Sequence, residues 1–311
     1  KGVMIEHTQF MNTFVNVIDR FGIKETDRVL QFASFGFDAS VMEIFEALLT
    51  GAALIIAAKD TIRDTDNFIS YVTDKEVTVA TLPPVYLNVL DHAALPYIRT
   101  LITAGEQAIS EDVNYYKGNK IFINAYGPTE NSVCTSSYLA EKGIKYENSV
   151  PIGKPAGNSK VYILSDSLEP LPIGFEGELC ISGSGIARGY LNNKELTEKK
   201  FVDNPFEAGT RLYRTGDLAK WLPDGNIEYL GRIDDQVKIN GNRIEPGEIE
   251  ARISKYKGIK EVIVLDILND GHKELAAFII SSEQVDVNNI RQYLRRYLPE
   301  YMIPSHYIFP D

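Results

Sequence analysis

The chain has 311 residues, of which 44% are hydrophobic and 24% charged, a balance typical of soluble globular proteins and long enough for more than one core. A net charge of -11 without any Lys/Arg block excludes a nucleic-acid-binding face, because phosphate neutralisation needs clustered cations. The two cysteines, Cys134 and Cys180, lie far apart in apolar runs, which suggests neither a disulfide framework nor a zinc site, and no apolar run is long enough to cross a bilayer. With no signal-peptide layout at Lys1-Gly2-Val3-Met4, the chain reads as cytoplasmic, with no membrane or nucleic-acid partner.

From residue 1 to about 150, helical and strand patterns alternate, as expected of an α/β sheet covered by helices. Gln9 to Phe21 is amphipathic, Ala53 to Ala57 is apolar, and Phe68 to Lys75 leads into Val77 to Leu82. Leu101 to Thr103 and Ile121 to Ala125 read as short buried strands. Residues 151–232 shift to short strands at Val161 to Leu164, Glu178 to Ser182 and Ile227 to Leu230, with a Pro223-Asp224-Gly225-Asn226 turn, so a β-rich lobe is expected.

Residues 233–311 read as a small α+β unit. Gln236 to Ile239 and Asn242 to Glu245 flank Asn240-Gly241, a pair suited to a type I′ hairpin. A helix follows from Pro246, then strands at Val262 to Leu268 and Leu275 to Ile280, then a helix over Asn288 to Leu298.

Several strings can carry chemistry. Phe37-Asp38-Ala39-Ser40 opens a helix, with Ser40 and Glu43 spaced as a capping box. That spacing leaves Asp38 free to pair with a substrate ammonium, although a second capping role explains it as simply. Asn124-Ala125-Tyr126-Gly127-Pro128-Thr129-Glu130 follows a buried strand, at the end where open α/β sheets bind ligands. Tyr126 can stack on a purine, Asn124 can bond its edge, and Thr129 and Glu130 can reach phosphate and Mg²⁺. A solvated Gly-Pro turn is the alternative.

Tyr213-Arg214-Thr215-Gly216-Asp217-Leu218 sets a carboxylate after a glycine turn, able to accept ribose hydroxyls, and Gly231-Arg232-Ile233-Asp234 adds a nearby cation. Turn aspartates and surface ion pairs are common, so neither string is specific alone. Gly177 to Leu191 misses the dinucleotide glycine spacing by one residue and reads as structural. His7, His92, His272 and His306 show no metal-ligand or triad spacing.

Taken in order, these strings resemble the adenylation domains of nonribosomal peptide synthetases, within the adenylate-forming superfamily. Lys1-Gly2-Val3 resembles the tail of the family's phosphate loop, FDAS at 37–40 its substrate motif, and NAYGPTE at 124–130 its adenine motif. YRTGDL at 213–218, GRIDDQVKINGNRIEPGEIE at 231–250 and LPEYMIP at 298–304 continue the series. The resemblance implies an α/β adenylate-forming fold: a large core of α/β sheets and a β-rich lobe, followed by a small mobile C-terminal α+β domain.

The resemblance also implies roles. Asp38 would hold the substrate ammonium, Tyr126 and Tyr229 the nucleoside, and Asp217 with Arg232 the ribose. Gly105, Asn124, Gly127 and Thr129 would complete the nucleotide site, with Glu130 on Mg²⁺. Asp234 would be the hinge, and Lys238 and Gly241 would approach a carrier's phosphopantetheine, with Glu130, Thr129 and Lys238 the catalytic set. The implied pocket wall is Ala39, Met42, Thr81, Ile102, Ala104, Ala125, Val133 and Cys134. It is roomy and carries no second charge, most similar to phenylalanine-activating domains except at Met42, where an aromatic floor is usual; tyrosine, tryptophan or leucine remain alternatives. Plain core packing is the competing explanation for Ile102 and Val133.

The expected cofactors are ATP/AMP and Mg²⁺, and the expected partners an amino acid and a peptidyl carrier domain. The chain starts after the family's phosphate loop and ends before its terminal Asn-Gly-Lys motif. It is therefore expected to adenylate poorly alone and to need a complementary segment for the N-terminal part of the core. An acyl-CoA or aryl-acid ligase, or a non-catalytic nucleotide-binding fragment, would share many of these features.

Overall fold

The computed structural model describes residues 2–239, 241–269, 272–283 and 285–310. Contacts divide the chain into two compact units, Lys1–Ile233 and Asp234–Asp311.

The first unit contains a seven-stranded sheet in the order Ala53–Ile56, Arg28–Gln31, Val79–Leu82, Thr100–Thr103, Ile121–Tyr126, Ser136–Leu139, Lys154–Pro155. Its first five strands are parallel and its last two antiparallel. Side chains alternate between faces along each strand, so adjacent residues serve different cores. Leu30, Ala80, Leu82, Leu101 and Phe122 pack with Phe68, Val72 and Tyr116 on one face. Val29, Val79, Ile102, Ile123 and Ala125 pack on the other, against Phe14, Val17 and Phe21 of helix His7–Phe21 and Met42 of helix Asp38–Thr50.

A second, antiparallel sheet joins Phe201–Asp203, Arg211–Trp221, Gly177–Gly183 and Ser159–Leu164, with Ile227–Arg232 pairing on Arg211–Trp221. Gly183 lies where a Cβ would come within 2.1 Å of the Asn158 carbonyl oxygen, which explains glycine there by close backbone approach.

The second unit has a hairpin of Val237–Ile239 and Asn242–Ile244, the helices Pro246–Ile253 and Val287–Leu294, and a sheet of Ile259–Asn269, His272–Ser281 and His306–Ile308. Gly241 has the positive φ of 75° that the hairpin reading requires; Asn240 lies outside the described residues, as does Lys1. The last helix ends at Leu294 rather than Leu298. Leu298 instead belongs to the unit's apolar core.

One local expectation fails. Helix Asp38–Thr50 starts two residues before Ser40, with Phe37 at its N-cap and no side-chain cap. Ser40 therefore falls in the first turn, where its hydroxyl donates to the Phe37 carbonyl at 2.7 Å. Glu43 accepts instead from the Phe32 and Ala33 N–H groups, each at 3.0 Å, closing the end of strand Arg28–Gln31. Ser40 and Glu43 form no capping box.

Candidate active site

Sheet geometry collects most of the expected pocket residues. Thr81 and Ile102 are register partners on adjacent parallel strands, and Ile102 pairs in turn with Ile123, two residues before Ala125. Parity puts Thr81, Ile102 and Ala125 on the face that meets helix Asp38–Thr50. Met42 and Cys134 are buried in the same apolar cluster, and Ala104 and Val133 pack against it. Val133 is not a strand residue: it has φ 77°, following Ser132 at φ 56°, and this turn brings Cys134 into the cluster. Ala39 lies in the first turn of the helix beside Asp38.

Asp38 is half-buried, and its Oδ2 accepts the Thr129 hydroxyl at 2.6 Å. That bond ties the helix N-terminus to the 124–130 string. The loop is anchored by the Thr135 N–H donating to the Tyr126 carbonyl at 2.8 Å, and by Gly127, where a Cβ would come within 2.2 Å of the Val133 carbonyl oxygen. Asn124 donates to the carbonyls of Val150 at 3.3 Å and Pro151 at 2.9 Å.

Tyr126, Asp217 and Arg232 form a connected group. The Tyr126 hydroxyl donates to Asp217 Oδ2, while Arg232 Nη1 meets Asp217 Oδ1 at 2.8 Å and donates to the Thr215 carbonyl at 3.0 Å. Asp217 and Arg232 face each other across adjacent antiparallel strands, so strand pairing itself sets the ion pair. Burial, reinforced by Asp217, pushes the Tyr126 phenol well above its usual range, so it stays a donor. The Tyr126 and Tyr229 ring centroids are 6.2 Å apart.

Glu130 is buried and accepts the Tyr190 hydroxyl at 2.6 Å. Gly105 has φ 93°, just past Ala104 beyond the end of strand Thr100–Thr103. Lys238, opposite Arg243 in the hairpin, Gly241 and Asp234 all belong to the second unit. The Asp234 carboxylate accepts from the Gln236 N–H at 3.4 Å.

Two contributors were not singled out from sequence. Buried Glu178 accepts Arg214 through Nε at 2.8 Å and Nη2 at 2.6 Å on one oxygen, and the Gly216 N–H at 3.0 Å on the other. It thereby fixes the turn that presents Asp217. Glu46 is the second: it is wholly buried, and neither carboxyl oxygen has a hydrogen-bond partner among the described residues. Burial, with Glu43 adding to it, raises its pKa to about 8. A carboxylate inside an apolar cluster would have been the only sequence signal for either.

Both cysteines are buried free thiols, and burial raises Cys134 to about 12, so it is no nucleophile. His92 and His306 do have carboxylate neighbours, Asp112 at 3.2 Å and Glu274 at 2.6 Å. Among the described residues no three His, Cys, Asp or Glu side chains converge as a metal site, and no helix is long and apolar enough to cross a membrane.

A family model described as AMP-binding enzyme matches residues 1–191. The chain belongs to the AMP-binding enzyme family. This AMP-binding enzyme is 48% identical over 314 residues to gramicidin S synthase 1 of Brevibacillus brevis, covering 100% of this chain and 28% of that protein. It is 47% identical to tyrocidine synthase 1 of Brevibacillus parabrevis, covering 100% and 29%. The chain thus spans under a third of the length of these curated relatives.

Among solved structures it is similar to an artificially fused adenylation-PCP di-domain nonribosomal peptide synthetase from Klebsiella oxytoca, with a TM-score of 0.85 and 27% identity over 98% of this chain and 58% of that one. A four-domain nonribosomal peptide synthetase bound to AMP and glycine matches with a TM-score of 0.69 and 30% identity, over 99% of this chain and 24% of that one. The α/β architecture is that of the adenylate-forming structures.

Proposed function

We propose that this AMP-binding enzyme activates an amino acid, converting it with ATP to aminoacyl-AMP and pyrophosphate, and then passes the acyl group to the phosphopantetheine thiol of a carrier domain. The observation that carries this reading is the Asp38 to Thr129 hydrogen bond. It holds a carboxylate at the junction of an uncharged apolar face and the loop that bears Tyr126. A substrate ammonium there would exchange a hydroxyl partner for a charge-assisted one. The relatives named for gramicidin S and tyrocidine, and the similar structure bound to AMP and glycine, support the same reading.

In this reading the substrate carboxylate attacks the α-phosphorus, the bond to the pyrophosphate oxygen breaks, and pyrophosphate departs. Asp217, held by Arg232, accepts the ribose hydroxyls. Asn124, its amide spent on two carbonyls, accepts from the purine amine through its own carbonyl. Two stacking gaps of roughly 3.5–4 Å need more than the present Tyr126 to Tyr229 spacing, so the less buried Tyr229 ring swings outward as the base enters. Gly105, Gly127 and Thr129 border the phosphates.

The residues present suit Mg²⁺ held largely by phosphate oxygens: Glu130 offers one buried carboxylate, and this ion commonly takes only one or two. When bound it would neutralise phosphate charge. The pocket of Ala39, Met42, Thr81, Ile102, Ala104, Ala125, Val133 and Cys134 suits a large neutral side chain, phenylalanine or a relative of it. We assign Asp234 as the hinge, and Lys238 and Gly241 to the approach of the carrier arm.

Amino-acid-dependent pyrophosphate exchange over a panel of acids tests this. A large neutral amino acid should support exchange. Equal exchange with fatty or aryl acids, or a preference for glycine or glutamate, would overturn it.

A further inference from the structure

Helix Asp38–Thr50 carries three side chains at four-residue spacing: Asp38, Met42 and Glu46. Residues four apart lie on one helical face, so the three form a row running from the 124–130 loop into the sheet core. Met42 packs in the cluster that holds Ile102, Ala125 and Cys134. Glu46 lies close enough to Cys134 to raise that thiol, while Arg20 opposes it. A carboxyl group therefore sits one turn beyond Met42, against the same cluster, wholly buried and with both oxygens unpaired among the described residues. Buried polar side chains are nearly always hydrogen-bonded, and an exception calls for an explanation.

We propose that Glu46 is a specificity-determining residue that receives the tip of the substrate side chain, selecting large amino acids that end in a hydrogen-bond donor, tyrosine over phenylalanine. The inference rests on the amino-acid-activating reading above. Length is of the right order: eight residues of helix rise about 12 Å, and the roughly 8 Å from amine to para hydroxyl with a hydrogen bond of about 2.8 Å at each end spans up to about 13–14 Å, less where the bonds bend off that line. Asp38 would take the amine and Glu46 the far end. Met42 lies between them, and its flexible thioether can move aside where a ring could not. A neutral carboxyl offers one donor and one acceptor, which matches a phenol that is itself both. The pocket then has a carboxyl group at its floor, beyond Met42.

Pyrophosphate exchange by the full-length enzyme, with phenylalanine, tyrosine, 4-aminophenylalanine and leucine, tests this. The wild type should favour tyrosine and 4-aminophenylalanine over phenylalanine by at least about tenfold in kcat/KM. Glu46→Met should invert that order, and Glu46→Gln, which still donates and accepts, should keep it. Met42→Phe should lower tyrosine use by blocking the path while leaving Glu46 in place, so the test survives if Glu46→Met does not fold. A wild type that prefers phenylalanine or leucine, or a tyrosine-to-phenylalanine ratio that Glu46→Met and Met42→Phe both leave within about threefold, overturns the inference alone. Exchange with no amino acid overturns the activating reading and the inference with it.

Discussion

The Asp38 carboxylate and the Thr129 hydroxyl, 91 residues apart in sequence, meet at 2.6 Å and join a helix N-terminus to the loop after the fifth parallel strand. Each end is separately held: Asp38 by the first turn of its helix, Thr129 by the loop that Gly127 allows to pack on Val133. If Asp38 receives the substrate amine, Asp38→Ala removes a charge-assisted hydrogen bond worth roughly 1.5–3 kcal/mol. Amino-acid kcat/KM should then fall by about 10- to 150-fold, while activity on the matching des-amino acid stays level or rises. Equal losses on both substrates would show that Asp38 only supports the fold.

Asp217 stands between a phenol and a guanidinium, and both it and Arg232 are largely buried, at 5% and 11% side-chain exposure. Asp217→Ala removes the carboxylate that meets Arg232 Nη1 and keeps the bond to the Thr215 carbonyl. Breaking a buried pair in this way costs about 3 kcal/mol, at the low end of the usual range because part of Arg232 reaches solvent. Urea unfolding should show that loss. Asp217→Asn should cost less stability yet weaken AMP binding about tenfold in calorimetry, since the ribose would lose its charged acceptor.

Glu178 acts on the same site at one remove. It touches Arg214 and the Gly216 N–H, so its substitution loosens the turn before Asp217 and reaches no ligand directly. Glu178→Ala should weaken AMP binding by about 1–2 kcal/mol, and Glu178→Gln by less because an acceptor for Gly216 survives. A purely structural role would lower the unfolding midpoint and leave AMP affinity of the folded protein unchanged.

Much of this site was legible because strand parity and motif order are local properties. Thr81, Ile102 and Ala125 share a face for the same reason that their neighbours Ala80, Leu101 and Phe122 share the other. The errors came where tertiary contacts overruled spacing. Ser40 and Glu43 have capping-box spacing, but the Phe32 and Ala33 N–H groups just past strand Arg28–Gln31 took the Glu43 carboxyl group. Glu46 was illegible for a related reason: a glutamate in mid-helix reads as a solvated charge, and only the packing of that helix on the sheet puts it inside.

That burial has a consequence for stability. Glu43 and Glu46 sit at about 8 in the folded protein against a usual 4.5, both raised chiefly by burial, although the Phe32 and Ala33 N–H groups pull Glu43 the other way. Between pH 4.5 and 8 the folded chain therefore binds protons that the unfolded chain has released. Stability from these groups is full below about pH 4.5, declines as pH rises, and is lost above about 8. Glu43 raises Glu46 further, and Arg20 acts on the same thiol, Cys134, that Glu46 raises. Glu46→Gln cannot ionise, so its unfolding free energy should decline less steeply across that window and exceed the wild type by a few kcal/mol near pH 9. Parallel profiles for wild type and Glu46→Gln would mean that Glu46 is already ionised at neutral pH, paired with a cation the fold brings to it.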